Sequence, residues 1–487
     1  MPIAAVVSRE DKDVTSDLIA MLKGMGLNKR MFTAVTENGR VWAEKPDSLS
    51  LGESHVAIGR CSSFKDGTPA YSGGEVAVVL DGHLFNSGHN LPDCKLVSGL
   101  VERKIRLGSL FEAIRAAVAE LDGAFSFAAL AGHKVVVAQD MFGFEPLFWG
   151  EDKGRIAIAA ERKALWRIKI KTVARFPAGC VMSMGNGDMR IARVLNFVRP
   201  RKANMELTEA SCGLAEVLSL SLSHDSRSGG PKSRVGVLFS GGVDSSVVAA
   251  LCGKAGLEPT LYCAAVEGSR DVEIVERAAS ELGFRARLRV IPIGDIEHFL
   301  RKTLFAIEEV DLMEAAIGIP FYAALELAKE EGVDQVFSGQ GADELFGGYA
   351  RYQQMANEEN EKLSNALWSD LCRLSEGSLG KHGAVAAVNN VGLYMPFLRP
   401  RVMEFAAGLP VSLKISGKED SLRKHVLREA ARLIGVPELI VLRPKKAVQY
   451  SSGSEAAIRR QAKRCDESPN KYMWRIFEEV LREYMVG

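Results

Sequence analysis

The stretch FSGGVDSS, Phe239–Ser246, lies near the middle of the chain, ends one apolar run, VGVLF, and precedes another, VVAALC. The first run is typical of a buried strand and the second of a helix. Ser240, Gly241 and Gly242 are therefore predicted to lie at the carboxyl end of a strand in an open α/β sheet, where ligands bind. This succession of strand, turn and helix predicts an α/β fold for the second half of the chain.

The chemistry of this turn favours a phosphate group. The glycines allow a sharp turn and a close approach to a ligand, and the N–H groups of Gly242 to Ser246, at a helix N-terminus, favour an anion. Ser240 and Ser245 add hydroxyl groups, as does Ser246. Asp244 would repel a phosphate unless a cation lay between them, so it is predicted to bind Mg²⁺. The alternative is a plain glycine turn with Asp244 as a helix cap.

A second turn of the same kind occurs in FSGQGADELFGGYARY, Phe337–Tyr352, where an apolar run ends in glycines followed by Asp343 and Glu344. If its strand lies beside the first, Asp343 can reach the same metal ion from the other side. Carboxylates at two strand ends suit one magnesium ion on a pyrophosphate. The alternative is two unrelated acidic turns.

The overall composition excludes several classes of protein. A chain of 487 residues, 47% apolar and 25% charged, is expected to form two or three domains of a folded soluble protein. The net charge of +1 predicts no nucleic-acid partner, and no apolar run is long enough to predict a membrane span. The eight cysteines form no CxxC pair, so we expect reduced thiols in a cytoplasmic protein.

The pattern of apolar runs changes at about residue 200. Before it, short β-type runs such as VAVVLDG and RIAIAA predominate, and the basic, proline-bearing segment FVRPRKANMELTEA is predicted to be a linker. Beyond the central turn, strand-like runs alternate with helical ones, which predicts a parallel sheet covered by helices. We therefore predict two domains, residues 1–200 and residues 206–487.

Several segments together resemble one family. The central turn resembles the pyrophosphate loop of the N-type ATP pyrophosphatases, and Phe337–Tyr352 resembles the SGxGxDExFGGY motif of asparagine synthetases. MPFLRPRVMEFAAGLP, KHVLREAARLIGVPELIVLRPKKAVQYSSG, LDGAFSFA and AQDMFGFEPLFWG also resemble segments of that family, so the chain is identified as a member of it. The resemblance implies an Ntn-hydrolase-like αββα glutaminase domain, followed by a parallel-sheet ATP pyrophosphatase domain of the adenine nucleotide alpha hydrolase type.

The resemblance also implies a reaction, in which ATP and a carboxylate such as L-aspartate form an acyl-adenylate and ammonia then displaces AMP. ATP and Mg²⁺ are the implied cofactors, Asp244 and Asp343 the implied metal ligands, and a homodimer is allowed. Lys445 matches a lysine that neutralises the phosphates and a developing oxyanion, although a basic surface loop is the alternative; Gln340 and Asp343 are the other candidate catalytic residues. The residues implied to hold ATP are Leu238, Ser240, Gly241, Gly242, Asp244, Ser245, Ser246 and Gly339.

The glutaminase half departs from the family pattern. Glutamine-dependent members begin Met-Cys-Gly, whereas this chain begins Met1-Pro2-Ile3, and proline carries no thiol nucleophile. Cys61, beside Arg60, lacks a free amine. Asp81-Gly82-His83 stands where the family has Asn-Gly-Glu, although Arg60, Gly82 and Asp93 remain. We expect no glutamine hydrolysis.

The synthetase half departs as well. Gln340 replaces a glutamate that could take a proton from attacking ammonia, Arg399 replaces an aspartate, and Lys381–Gly383 and Gly392–Phe397 replace two charged patterns. Three hypotheses stay open. The first is an ammonia-dependent asparagine synthetase, the second a ligase for another carboxylate that forms an amide or a lactam, and the third a non-catalytic ATP-binding scaffold.

Overall fold

The computed structural model describes residues 2–25, 31–62, 70–72, 76–85, 92–185, 189–225, 233–269, 271–356, 360–374, 377–444 and 453–486. The chain forms two compact units, and each is described by itself. The first comprises Met1–Phe197, Ser375–Asn390 and Leu481–Gly487, and the second comprises Val198–Leu374 and Val391–Val480. These units are discontinuous in sequence, unlike the continuous domains 1–200 and 206–487 proposed from the sequence.

The first unit contains thirteen strands and four helices from the N-terminal part of the described chain. They are β1 Ile3–Ser8, α1 Thr15–Met25, β2 Met31–Thr36, β3 Gly39–Ala43, β4 Val56–Ser62, β5 Ala70–Ser72, β6 Ala77–Leu84, α2 Asp93–Lys104, α3 Leu110–Val118, β7 Gly123–Ala131, β8 Lys134–Gln139, β9 Phe148–Glu151, β10 Arg155–Ala159, α4 Arg162–Arg167, β11 Val173–Arg175, β12 Cys180–Met184 and β13 Met189–Arg193.

These strands form two antiparallel sheets within the described residues, in the orders β11-β9-β10-β1-β4-β2-β3 and β13-β12-β8-β7-β6-β5. Alternate residues of β1 face opposite sides: Ile3 packs between the sheets, and Ala4 packs against the helices outside them. Helices α1 and α4 cover the outer face of one sheet, and α2 and α3 cover the outer face of the other. The predicted αββα sandwich is confirmed.

The remaining elements follow the linker, and most of them belong to the second unit. They are α5 Leu207–Asp225, β14 Arg234–Leu238, α6 Val243–Lys254, β15 Glu258–Val266, α7 Asp271–Leu282, β16 Arg285–Ile291, α8 Ile296–Ile307, α9 Leu312–Glu330, β17 Gln335–Ser338, α10 Ala342–Phe346, α11 Ala350–Met355, α12 Asn360–Cys372, α13 Ser378–Val388, β18 Gly392–Tyr394, α14 Pro400–Gly408, α15 His425–Ile434, α16 Glu438–Val441, α17 Ser454–Arg464 and α18 Pro469–Val486. Helix α13 and the end of α18 belong to the first unit.

The second unit is built on a parallel sheet, which in the described residues has the order β16-β15-β14-β17-β18. The alternation of strand-like and helical runs predicted this sheet, and β14 to β17 confirm it. Strand β14 is buried over Val235–Val237 because its neighbours cover both edges and helices cover both faces. Among the described residues, no helix is both long and apolar enough to cross a membrane.

Candidate active site

The two glycine turns lie side by side at one edge of the parallel sheet. Strands β14 and β17 are neighbours, with Leu238 opposite Ser338, so both end at the same edge. Each strand leads through a left-handed glycine, Gly241 at φ +69° and Gly341 at φ +90°, directly into a helix. The two strands are therefore neighbours, as they must be if Asp343 and the first turn are to share a ligand.

The first turn is closed by its own serines. The Ser240 N–H donates to Ser245 Oγ at 3.3 Å, and Ser245 Oγ donates to the Gly242 carbonyl at 3.2 Å. The Ser246 N–H donates to the Gly242 carbonyl at 3.1 Å inside helix α6, and its hydroxyl is fully buried. The expectation that the Ser246 N–H points out of the helix end is wrong, because this amide already makes a helical bond.

Gly339 brings the second turn against the first. A Cβ atom on Gly339 would lie 2.8 Å from the Asp244 carbonyl carbon and 2.9 Å from the Ser245 nitrogen. These are backbone atoms at the start of α6, so they cannot rotate away. The absence of a side chain at this position is what allows the two turns to touch.

The two aspartates predicted to bind a metal converge on a lysine. Lys424 Nζ lies 2.7 Å and 2.8 Å from the two carboxylate oxygens of Asp244 and 2.6 Å from Asp343 Oδ1. The Lys424 side chain is completely buried, while the aspartates remain 13% and 21% exposed toward the cavity. Tertiary structure thus brings Asp244 and Asp343 together, as predicted, around a positive charge that was not predicted.

A cavity opens above these turns. Its wall includes most of the residues predicted to hold ATP but, within the described residues, neither Gly241, Gly242 nor Ser246. The cavity is lined by Leu238, Phe239, Ser240, Asp244, Ser245, Tyr262, Cys263, Ala264, Val275, Ile317, Pro320, Phe321, Ala324, Ser338, Gly339, Gln340 and Asp343. The candidate Lys445 lies outside the described residues.

Two arginines add positive charge beside the first turn. Arg443 Nη1 donates to the Gly241 carbonyl at 2.9 Å, and its segment leads to Lys445. Arg428 is buried and donates to the Leu422 and Arg423 carbonyls at 2.6 Å and 2.7 Å. Burial lowers the pKa of Arg428, and the nearby Asp244 carboxylate opposes that shift.

Gln340, which the sequence predicts to replace a glutamate, also lines the cavity. Its backbone N–H donates to Ser338 Oγ at 3.3 Å. Glu344, one turn further along, accepts a hydrogen bond from the Tyr349 hydroxyl at 2.7 Å, and burial together with Asp343 raises its pKa. The amide of Gln340 can accept a hydrogen bond but cannot take up a proton as a carboxylate does.

In the first unit, Arg60 and Cys61 face opposite sides of the seven-stranded sheet. Arg60 is 7% exposed, and burial lowers its pKa against the opposing effect of Asp81. The Cys61 thiol lies in the core outside the sheet, with Sγ 3.7 Å from the Pro2 carbonyl. Successive strand residues point to opposite faces, so this thiol does not share the inner face with Arg60.

The segment predicted to correspond to the glutamine-binding pattern makes local contacts in the first unit. Asp81 accepts the Gly82 N–H and Asp93 accepts the Leu84 N–H, both at 2.9 Å. Burial and the Asp81 charge raise the pKa of Glu145 to about 8. Gly82, at φ +89°, allows the approach of Glu145, whose Cγ would lie 2.8 Å from a Cβ at this position. A buried acidic group therefore occupies this end of the sandwich.

Sequence reasoning missed Lys424 and Arg443. Lys424 directly precedes the amphipathic run HVLREAARLI, and a lysine at a helix N-terminus opposes the helix dipole. That unfavourable position was the available signal that its charge has another use. Lys381–Gly383, expected near the acceptor side, lies in the first unit and is not among the residues that line the described cavity.

Comparison with known families agrees with this geometry. The family model described as Asparagine synthase matches residues 231–374 and 355–473, and the model described as Glutamine amidotransferase domain matches residues 61–167. "Putative asparagine synthetase (glutamine-hydrolyzing) 1" of Methanocaldococcus jannaschii is 32% identical over 425 residues, 75% of this chain and 76% of that protein. The chain belongs to the asparagine synthetase family. Members of this family are ATP-dependent ligases, and the chain is an enzyme of that class.

In more distant relatives of this asparagine synthetase family member, the match covers a smaller share of the relative's length. Asparagine synthetase B (glutamine-hydrolyzing) of Escherichia coli is 27% identical over 395 residues, 77% of this chain and 66% of that protein. Among solved structures, glutamine phosphoribosylpyrophosphate amidotransferase from B. subtilis has a TM-score of 0.34 and 14% identity, covering 59% of this chain and 65% of that chain. A likeness of that size carries no argument about function.

Proposed function

We propose that the chain forms an amide by adenylating a carboxylate, L-aspartate in the first place, and transferring ammonia to it without hydrolysing glutamine itself. The observation that carries this proposal is the convergence of Asp244 and Asp343 at the ends of two adjacent parallel strands. Open parallel sheets bind ligands at this edge. The family membership supplies the reaction class.

The cavity has two chemically different parts that suit ATP. Val275, Ile317, Pro320 and Phe321 form an apolar wall suited to an adenine ring. Ser240 and the start of α6 border the opposite part, where the helix dipole favours phosphate. Lys424 and Arg443 supply fixed positive charge for the leaving pyrophosphate.

The donor set at the two turns fits Mg²⁺. No group of three or more His, Cys, Asp or Glu side chains in the described part of the chain could hold a metal ion. Two carboxylates, however, already face a single cation, the Lys424 ammonium. Mg²⁺ in nucleotide sites takes one or two carboxylates and completes its shell with phosphates and water. Asp244 and Asp343 would hold it, and it would neutralise the pyrophosphate.

The proposed reaction has two steps. A carboxylate oxygen of the acceptor attacks the α-phosphorus of ATP, the bond between the α and β phosphates breaks, and pyrophosphate leaves. Ammonia then attacks the acyl carbon, the bond to AMP breaks, and a proton is lost to give the amide. Gln340 lines the cavity and can orient an attacking amine through its amide oxygen.

The absence of glutamine hydrolysis is supported by the first unit. Pro2 carries no thiol, and Cys61 lies in the core on the far face from Arg60. Thiol chemistry on glutamine needs a nucleophile and a base within reach of the bound substrate. The ATP and ammonia steps need neither group. The cytoplasmic location and the homodimer stay predictions.

Exchange of pyrophosphate into ATP tests the adenylation step. At saturating Mg²⁺, labelled pyrophosphate is expected to enter ATP only when L-aspartate is present. If exchange does not depend on L-aspartate but does depend on another acid in a panel, that acid is the substrate in place of L-aspartate. No exchange with any acid would contradict the proposed function and favour a non-catalytic ATP-binding scaffold.

A second candidate is a ligase of the same chemistry for a different carboxylate, giving another amide or a lactam. Gln340 favours it, because an uncharged group lines the cavity where the family carries a carboxylate. Arg399, another changed charge in this unit, is buried at the start of α14. The acid panel separates the two candidates directly.

A further inference from the structure

The ammonium of Lys424 stands where a cation shared by the two aspartates would stand. It lies within 2.8 Å of three carboxylate oxygens, two from Asp244 and one from Asp343. Charge-assisted N–H···O bonds have this length. A divalent ion would need the same carboxylate oxygens, so the ammonium and the ion would compete for them.

Without a bound nucleotide, the charges at this site favour the Lys424 ammonium over a divalent ion. Two carboxylates carry two negative charges, and without Lys424 they would repel each other and attract a divalent ion. With Lys424 the pair keeps one net negative charge, and three of its four carboxylate oxygens already contact the ammonium. The buried Arg428 guanidinium adds a second positive charge that acts on Asp244.

The backbone that carries Lys424 is strained. Arg423 and Lys424 are consecutive non-glycine residues in the left-handed region, at φ +53° and +58°. Left-handed conformation is sterically unfavourable for a residue that carries a Cβ atom. Strain of this kind persists only where the surroundings impose it, and it is concentrated at functional sites.

Asp420 imposes this turn. Its Oδ1 accepts the N–H groups of Leu422 and Arg423 at 3.1 Å and 2.8 Å, and its Oδ2 accepts that of Ser416 at 2.9 Å. His425 Nε2 lies 2.7 Å from the same Oδ2. Four groups around one carboxylate therefore hold the two strained residues in place.

The Arg423 side chain ties the turn to the second glycine loop. Arg423 Nη1 donates to the Gly348 carbonyl at 2.7 Å. The Gly348 N–H in turn donates to the Asp343 carbonyl at 2.8 Å. The strained turn and the carboxylate pair thus form one connected structure.

We propose that Lys424 is a resident cation that closes the Asp244–Asp343 pair to divalent metal ions in the nucleotide-free chain. The phosphates of ATP, whose binding rests on the proposed function, offer the ammonium a second set of partners. The metal ion then enters only together with the nucleotide. The strained Arg423–Lys424 turn keeps the lysine in this position.

Manganese binding without nucleotide tests the closure. Free Mn²⁺ is titrated with the whole chain and followed by electron paramagnetic resonance. The wild type is expected to bind none at this pair, and Lys424→Met is expected to bind one ion at least ~10-fold more tightly. Lys254→Met is the matched control, because Lys254 is an exposed lysine that donates to the Leu433 carbonyl. Equal Mn²⁺ affinity in the wild type and Lys424→Met would overturn the proposal.

Thermal unfolding covers the case in which Lys424→Met folds poorly. An ion that binds only the folded chain raises its unfolding temperature. Millimolar Mg²⁺ is expected to raise the Tm of Lys424→Met and to leave that of the wild type unchanged. A Tm that responds equally in both proteins would contradict closure by Lys424.

Two substitutions at Arg423 test the role of the turn. Both remove the contact with the Gly348 carbonyl, and they differ strongly in backbone preference. Glycine adopts the left-handed region at no steric cost, whereas a β-branched residue there is an outlier. Arg423→Gly is expected to exclude Mn²⁺ better than Arg423→Val. Equal exclusion would show that the strained turn does not hold the lysine.

These measurements are independent of catalysis. A wild-type chain that excludes Mn²⁺ but exchanges pyrophosphate with no acid would contradict the proposed function and leave the closure intact. A wild-type chain that exchanges pyrophosphate but binds Mn²⁺ without nucleotide would overturn the closure and leave the proposed function intact.

Discussion

The negative charge of the Asp244 carboxylate is favoured by some of its surroundings and disfavoured by others. It lies in the first turn of α6, where the helix dipole favours a negative charge. It also borders a cavity suited to phosphates, which would disfavour that charge. The Lys424 ammonium lies against both carboxylate oxygens of Asp244 and stabilises the negative charge.

Asp244→Ala is expected to remove pyrophosphate exchange, because the nucleotide site loses one of its two carboxylates. A fall of ~10²–10³-fold is the scale for losing one preorganised electrostatic group. Initial exchange rates at saturating ATP provide the measurement. Glu276→Ala, an exposed carboxylate on α7, is the control and should retain the wild-type rate. Normal exchange in Asp244→Ala would contradict the assignment of the phosphate site.

Gly339→Ala is expected to impair the site through the backbone. The added methyl group would meet the Asp244 and Ser245 backbone at less than 3.0 Å and force the two turns apart. Overpacking of this kind costs typically ~1–3 kcal/mol, measurable by denaturant unfolding alongside exchange. Gly294→Ala has open space around its Cβ and serves as the control. Wild-type stability and wild-type exchange in Gly339→Ala would show that the two turns do not need to approach each other this closely.

At the scale of elements, a buried amine lies against the C-terminal end of α14. Lys414 is 4% exposed and donates from Nζ to the Ala406 carbonyl at 2.6 Å, in the last turn of the helix. Burial, and secondly the charge of Arg199, lowers its pKa to about 7. Glu344 lines the same small cavity. A cation at this end of a helix satisfies its carbonyls, but the charge is costly to bury.

This amine predicts a pH dependence of stability. Between pH 7 and the ordinary lysine pKa of 10.5, the unfolded chain keeps a proton that the folded chain has lost. The unfolded state then binds more protons, so the stability of the folded chain rises with pH in this window. Relative to Lys414→Met, the wild type is expected to gain up to about 1.4 kcal/mol per pH unit. Urea unfolding of both proteins from pH 7 to 10 measures the difference in stability. If the stabilities of the two proteins change equally with pH, Lys414 is not a neutral amine in the folded chain.

At the scale of the whole molecule, the two compact units are built on opposite kinds of sheet. Antiparallel sheets with a shared apolar core form the first unit, and a parallel sheet between helices forms the second. The groups that suit ATP all lie in the second unit. The first unit contains Arg60 and Asp93, and the Cys61 thiol next to Arg60 in the strand lies on the far face of the sheet.

The whole chain is therefore expected to use ammonia and not glutamine. With ATP, Mg²⁺ and the accepted acid, ammonium chloride should support amide formation, and glutamine should release no glutamate. Chromatographic assay of glutamate measures this directly. Steady release of glutamate, undiminished in Cys61→Ala, would contradict the expectation and would require another nucleophile. Release that is lost in Cys61→Ala would assign the activity to that thiol.

The sequence by itself determined the two kinds of sheet and the two glycine turns, because strand periodicity, helix periodicity and glycine conformations are local properties. It also determined that Asp244 and Asp343 follow strand ends. Only the tertiary structure decided that β14 and β17 are neighbours, and that Lys424, far along the chain, inserts its ammonium between the two carboxylates. Contacts of this kind depend on how distant segments pack, and a buried charge is stabilised only by partners that the fold brings to it.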